Sequence, residues 1–390
     1  MNYFKARFKY LVESILSWSA KRVLRIRKPF IIGVTGTAGK TTTKSAISHV
    51  LAKVLEQKVR SAPGNLNTEI GLPLAILDLE APVDPLGWVR VLINAVAQSL
   101  FTFSPKGASE VLVLEYGIDQ PGDMKKLLKI AQPKIGILTN IGSAHTQFLK
   151  TVEAVAKEKS QLVTSLPKSG LAVLNKRDRR VIAYQGRTKA RVELVDRPAD
   201  EFALAVAILV AEHGFGVSAK EALKAGGDWQ RPPGRLRIFD GVKGSVVIDD
   251  TYNANPISTT LALDQLKRIS RDKKGKRSIV VLGDMLELGK EEFKAHKGIA
   301  LLAQRVADEV VLVGTRFRRV VNNKTTWFPG PMPAASYILS LVKKGDIILV
   351  KGSQSMRMEK IVEVLLKNKK DSALLVRQSP YWKNKQYLTP

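Results

Sequence analysis

Short, unbroken apolar runs that alternate with helix-length stretches constrain this chain most. FIIGVTG, VLVLEYG, IGILTNIG and LAVLN come first, then VVIDD, SIVVLGD, EVVLVG and DIILVKG, each ending in glycine or a polar residue. A strand solvated on one face alternates apolar and polar residues, whereas a continuous apolar run is buried on both faces. TTKSAISHVLAKVL, VEAVAKEKSQLVTSL, EFALAVAILVAEHG and MEKIVEVLLKNKK lie between these runs and read as helices. The pattern predicts an α/β chain whose mostly parallel sheets are covered by helices. DWQRPPGRLR (228–237) sets two prolines and a glycine between the two series, and the main boundary is placed there. Three segments are expected: a terminal helix (1–28), a first α/β domain (29–231) and a second, Rossmann-like one (232–390).

Composition narrows the chemistry. The 390 residues include no cysteine, which excludes disulfides, thiolate nucleophiles and cysteine-ligated metal centres. Four histidines argue against a histidine-rich metal site, and 45% hydrophobic residues argue against intrinsic disorder. Lys and Arg number 63 against 35 acids, a net charge of +28, which asks for an anionic partner: a nucleotide, a nucleic acid, an acidic membrane surface or an anionic metabolite. Aromatic residues make up only 6% and no nucleic-acid-binding module is visible, so no nucleic acid is expected. Basic clusters at 176–191, 267–277 and 367–385 read as solvated surfaces.

Two segments raise the membrane question. Residues 1–28 carry eight basic residues and one acid, Glu13, and Phe4, Phe8, Leu11, Val12, Ile15, Ser19 and Val23 share one helical face. The expected reading is a helix packed on the next domain with a solvated basic back; a helix lying on anionic headgroups is the alternative. In LGWVRVLINAVAQSLFTF (86–103), Arg90, Asn94 and Gln98 form a polar stripe. That stripe is unsuited to a bilayer span, and the segment is expected as a buried or interfacial helix.

The strand FIIGV runs into TGTAGKTTT and then a helix. Gly36 and Gly39 let the backbone curl so that N–H groups point at phosphate oxygens, with Thr37 and Thr42 in the same turn. Lys40 supplies a point charge for the β- and γ-phosphates, and Thr41 offers a hydroxyl to Mg²⁺ at a helix N-terminus. Val34 stands where the general phosphate-loop pattern has its first glycine, but the strand–loop–helix context is the same. Glu115 ends the next clear strand, and Asn140 and His145 follow another, where open parallel sheets build their sites. A carboxylate and an imidazole beside a triphosphate suit one or two Mg²⁺ ions.

Taken together, GVTGTAGKTTTK, GNLNTEIGLPL, LEYGIDQPGDM, TNIGSAHTQFL, AVAKEKSQL, PGRLR, IDDTYNANPIS, VVLGDMLELG and LVKGSQSMRMEKIV resemble the Mur ligases. The similarity runs from about residue 30 to about 366. DDTYNANP and GDMLELG are most similar to the branch that adds D-Ala-D-Ala to a muramyl tripeptide. The resemblance implies a central ATP-binding domain (29–231) and a C-terminal ligase domain (232–390). It also implies ATP-dependent amide formation through an acyl phosphate, with two Mg²⁺ ions. Gly36, Gly39, Lys40 and Thr41 would hold phosphates and metal, and Glu115 and His145 would bind metal. Lys159 would match an N-carboxylated lysine that supports the second Mg²⁺, with Lys157 as its rival.

The resemblance also places Arg235 near the γ-phosphate, Asn253 and Asn255 around the adenine and linker, and Asp284 at the ribose or in domain closure. Asp250, Tyr252, His296, Lys351 and Ser353 would surround the incoming amine, and Asn65 and Asn67 would face the nucleotide-sugar peptide. The implied partners are an anionic peptidoglycan precursor and a dipeptide, taken by a cytoplasmic monomer; peripheral membrane contact through residues 1–28 stays the alternative reading of the basic helix. A different acceptor (a lipid-linked wall precursor or a folylpolyglutamate) and a non-catalytic ATP-binding homologue are the alternatives. Two departures stand out. The phosphate loop begins so early that the family's N-terminal uridine-nucleotide domain is expected to be missing. RPADEFALAVA (197–207) also replaces a G-x-H-N-x-x-N motif.

Overall fold

All eight apolar runs become strands, distributed over two six-stranded sheets. The computed structural model describes residues 2–56, 58–62, 64, 66–82, 84–103, 110–142, 149, 151–272, 276–379 and 382–383, with side chains from residue 7 onward and without that of residue 272. The chain divides into two compact units, Met1–Trp229 and Gln230–Pro390.

The first unit holds β1 (Phe30–Thr35), β2 (Lys58–Arg60), β3 (Glu110–Glu115), β4 (Ile135–Leu138), β5 (Leu171–Asn175) and β6 (Arg191–Val195). Their order is β2-β3-β1-β4-β5-β6, and every pairing is parallel. Alternation along the strands splits the core in two. Leu112 and Leu114 face one layer with Tyr116 and Leu127, while Val111 and Val113 face the other with Ile47 and Val206. Each such buried side chain contributes about 1.5–3 kcal/mol, which is why these strands read so clearly as apolar runs.

The terminal helix Asn2–Arg27 buries Val12, Leu16, Ala20 and Val23 in the first of these layers, so it packs on its unit as expected. Of the two expected forms of the helix Pro85–Phe101, buried or interfacial, the structure shows the second: Trp88, Val91 and Leu92 pack on the core while another face is open. Only Ala95 and Ser99 are fully buried, and Leu86, Val89, Ile93, Leu100 and Phe101 are exposed.

The second unit holds β7 (Arg237–Asp240), β8 (Val246–Asp250), β9 (Ser278–Gly283), β10 (Glu309–Val313), β11 (Thr326–Phe328) and β12 (Ile347–Lys351). Their order is β11-β10-β9-β12-β8-β7, parallel except for β7, which runs antiparallel to β8. The last expected helix is shorter than MEKIVEVLLKNKK suggests. It spans Glu359–Leu365 and stops where Leu366 bridges to Gly241.

Candidate active site

In the first unit the chain leaves β1 at the middle of the sheet, with β3 on one side and β4 on the other. The strand order reverses there, and loops at the carboxyl ends diverge to leave a crevice. Val34 pairs with Glu115 and Thr35 with Leu138, so the three strands end at one level.

The loop 36–39 is held by its neighbours. Gly36 has φ 148°, and a Cβ there would sit 1.9 Å from Thr139 Oγ1. Gly39 adopts φ 81°, the left-handed conformation from which the helix Lys40–Val54 starts. Thr37 N donates to Asn140 O (2.9 Å), Ala38 N donates to Asn140 Oδ1 (2.7 Å), and Thr139 Oγ1 donates to Ala38 O (2.6 Å). Asn140 therefore clamps the loop shape. Thr42, the third residue of that helix, is buried.

Side chains converge on this loop. Lys40 Nζ donates to Gly36 O at 2.9 Å, curling back over the loop it follows. Glu115 accepts from Thr41 Oγ1 at 2.9 Å through one oxygen and from Asn67 Nδ2 at 2.9 Å through the other. Lys44 Nζ donates to Ala62 O (2.6 Å) and Gly64 O (2.9 Å), tying the segment that carries Asn67 to the phosphate-loop helix. Lys44 and Asn140 are thus positioning residues. For Lys44 the only sequence signal was its place one turn after Lys40, on the same helix.

Lys159 is the outlier. It lies on the helix Val152–Thr164, is fully buried, and its Nζ has no hydrogen-bond partner. Burial above all, then the like charge of Lys40, holds its pKa well below the ordinary lysine range, against the pull of Asp119, Glu115 and Glu158. A buried amine left without a partner is costly, and it marks a place built for something else to fill. Lys157 points the other way and is exposed. Asp119, in LEYGIDQ, was missed in the sequence, although it follows the same strand end as Glu115.

His145 and Asn65 lie outside the described residues. Among the described residues no group of three or more histidine, aspartate or glutamate side chains gathers to hold a metal ion. The Thr41 hydroxyl and the Glu115 carboxylate are hard oxygen donors beside a phosphate-type loop, and such donors fit Mg²⁺.

In the second unit the expected residues cluster at the ends of β8, β9 and β12. Lys351 Nζ donates to Asp250 Oδ2 at 2.5 Å and to Asn253 O at 2.9 Å. Burial depresses the Lys351 pKa and the Asp250 charge opposes that shift. Asp249 beside it is fully buried and accepts from Gly234 N (3.0 Å), Thr251 N (3.2 Å) and Thr251 Oγ1 (2.6 Å). Burial pushes its pKa up to about 6. Arg235 stacks over Tyr252 with its guanidinium carbon 3.9 Å from the ring centroid, and its buried Nε has no partner.

Other expected residues make hydrogen bonds within the fold. Asp284 accepts from Arg316 N (3.0 Å) and Phe317 N (2.9 Å), capping the helix Thr315–Arg318. His296 is buried, its Nδ1 facing Glu292 O at 2.7 Å and its Nε2 accepting from Met285 N at 3.0 Å. Both ring nitrogens are occupied, and burial lowers the pKa of the ring, favouring the neutral imidazole. Asn255 accepts from Ser258 N at 2.8 Å at the start of the helix Pro256–Asp272. The Asn253 side chain accepts from Ala254 N (2.8 Å), and Ser353 Oγ accepts from Leu286 N (2.9 Å).

Comparisons with known proteins place this geometry. The Mur ligase middle domain matches residues 34–84 and 94–220, and the Mur ligase glutamate ligase domain matches 234–354. The chain is 30% identical to UDP-N-acetylmuramoyl-tripeptide–D-alanyl-D-alanine ligase of Treponema pallidum, over 87% of this chain and 75% of that protein. The enzyme of the same name from Mycobacterium leprae is 29% identical, over 86% of this chain and 73% of its own length. The crystal structure of MurF ligase from Thermotoga maritima in complex with ADP has the same fold, with a TM-score of 0.72 and 24% identity, covering 90% of this chain and 83% of that one.

Proposed function

The chain belongs to the Mur ligase family, and from that premise we propose that it is an ATP-dependent, ADP-forming amide ligase of peptidoglycan precursor synthesis, joining D-Ala-D-Ala to a muramyl tripeptide. One observation carries the reading. The phosphate loop, the Glu115 carboxylate and a buried, unpartnered Lys159 meet at the carboxyl edge of one parallel sheet.

The chemistry this edge supports is acyl activation. A carboxylate oxygen of the acceptor attacks the γ-phosphorus of ATP, the bond to ADP breaks, and an acyl phosphate forms. The dipeptide amine then attacks the acyl carbon, loses a proton, and phosphate leaves. Lys40 and the loop N–H groups balance charge on the transferring phosphate, and the clamp from Asn140 keeps them in place before substrate arrives. Mg²⁺, two ions by the resemblance, would be held by Thr41 and Glu115, with His145 as a further ligand, and would supply charge neutralisation on the β- and γ-phosphates.

Lys159 fits N-carboxylation. Its depressed pKa leaves a neutral amine whose lone pair can bond to the carbon of CO₂ with release of one proton, and the resulting carbamate supplies metal-binding oxygens where the bare amine has no partner. In the second unit, Arg235 is assigned to the transferred phosphate on its unpartnered Nε, and Asp250, Tyr252 and Lys351 to the incoming dipeptide. Asn67 is assigned to the acceptor. The reading is completed by a cytoplasmic monomer.

The deciding assay supplies ATP, UDP-muramyl tripeptide and D-Ala-D-Ala to the purified chain, and follows phosphate release together with product mass. Stoichiometric phosphate and a pentapeptide product are expected. Turnover only with another acceptor, such as a folate with glutamate, or no turnover with any, overturns the reading.

A further inference from the structure

The surface that the mechanism leaves unused lies on the two helices of the first unit that sequence had marked for the membrane question. The helix Pro85–Phe101 turns one stripe outward. Leu86, Val89, Ile93 and Leu100 recur at intervals of three, four and seven residues, and they are 72%, 50%, 62% and 53% exposed. Phe101 and Phe103 extend it at 76% and 79% exposure. Large aromatic side chains left this open to water mark an interaction site.

The terminal helix adds to the same surface. Arg22 Nε donates to Ser99 O at 2.8 Å, joining the two helices. Leu11 and Trp18 lie on the stripe of Arg22, seven and four residues apart, and are themselves 52% and 49% exposed. The apolar residues of the terminal helix therefore stand on the flank that meets its neighbour.

Charge decides what covers this surface. Lys21, Arg25 and Arg90 are exposed on the same two elements, and Lys28 just beyond the end of the first. Residues 85–103 contain no acid, and the single acid of residues 1–28, Glu13, is already beside Lys9 at 3.6 Å. A second copy docked face to face would bring these like charges together. A protein interface core is depleted of charge rather than fringed by one sign of it. An anionic bilayer satisfies both features, because apolar side chains enter the headgroup boundary while Lys and Arg meet lipid phosphates. No helix of the described residues is long and apolar enough to cross a membrane, so the pair lies along it.

We propose that the helix pair Asn2–Arg27 and Pro85–Phe101 is a docking surface for an anionic lipid bilayer. The inference stands apart from the ligase reading, since none of these residues belongs to the candidate active site. The full chain is sedimented with vesicles of phosphatidylcholine alone, or of equal parts phosphatidylcholine and phosphatidylglycerol, at about 0.1 M and about 0.5 M salt, where screening differs by more than twofold in length. Binding to the anionic vesicles that weakens at higher salt is expected. The double variant Ile93→Asp/Phe101→Asp should lose at least tenfold in bound fraction, and Lys21→Glu/Arg25→Glu about as much, with nucleotide binding unchanged in both. The replaced side chains are exposed, so melting temperatures should hold, and the charge variant keeps the test open should the apolar one misfold. Equal recovery on both vesicle types, recovery on neither, or light scattering that shows a dimer dissolved by Ile93→Asp overturns the proposal.

Discussion

The two units use the carboxyl edge of a parallel sheet in opposite ways. In the second, the lysine and carboxylates at the strand ends are answered from within, although the Arg235 Nε nearby is left open: Lys351 meets Asp250, Asp284 caps a helix, and Asp249 takes three hydrogen bonds. In the first, Lys159 is buried with no partner. An edge whose charges are mutually satisfied is stable by itself, while one that leaves a buried amine open is arranged for something it has yet to bind. The sharpest way to break this contrast is to swap both lysines for methionine. Lys351→Met strands the buried Asp250 carboxylate and should cost about 3–5 kcal/mol in denaturant unfolding. Lys159→Met removes a buried, unpartnered amine and should leave stability unchanged or raise it by about 1–3 kcal/mol in CO₂-depleted, metal-free buffer, while phosphate release is lost. Equal destabilisation by both would collapse the distinction.

Lys40→Ala asks whether the open edge is where phosphate is handled. Removing the point charge should lower ATP-dependent phosphate release by about 10²–10³-fold, with the melting temperature nearly unchanged because the loop keeps its Asn140 clamp. A variant that retains parental turnover would detach the loop from the reaction.

Asp249 tests the closed edge through pH. Its folded pKa of about 6 stands above the ordinary carboxylate value of 3.8, so the native state binds the proton more tightly than the unfolded chain. That contribution is complete below the unfolded pKa and is lost as pH rises through about 6. Asp249→Asn cannot titrate. The stability gap between parent and variant should therefore widen as pH falls from 7 to 4, by up to about 3 kcal/mol, read from urea melts at each pH. A gap independent of pH would mean that Asp249 is not the buried, proton-binding brace its contacts describe.

Strand legibility followed burial. The eight runs found in sequence are the inner strands of both sheets. The four that escaped notice, β2, β6, β7 and β11, are all edge strands. RVELV and RIFD carry charges because one side of an edge strand faces solvent, so neither forms an unbroken apolar run. The phosphate loop and Glu115 were readable because strand, glycine turn and helix are local in sequence. Lys44 and Asp119 were not, since their part depends on packing between distant segments. Asp284, His296 and Asn255 show what sequence leaves out: each also makes hydrogen bonds within the fold. Their motifs suggest ligand contacts, and the fold adds backbone partners that the motifs do not reveal. Histidine on an amphipathic helix gives no hint of such a partner.

The smallest effect is expected two residues from one of the largest. Lys157 and Lys159 are separated by about 200° around the helix Val152–Thr164, so one faces water and the other the phosphate-loop edge. Lys157→Ala removes a solvated cation and should change stability by no more than about 0.5 kcal/mol and turnover by less than about twofold. Lys159→Ala should abolish turnover, and added short carboxylates such as formate should restore part of it if the missing group is a carbamate. Growth in ¹³C-bicarbonate should give the parent, and the Lys157 variant, a carbamate carbonyl resonance that the Lys159 variant lacks. A resonance that instead disappears with Lys157→Ala would move the open position of the first unit to the exposed face of this helix, and the contrast between the two edges would go with it.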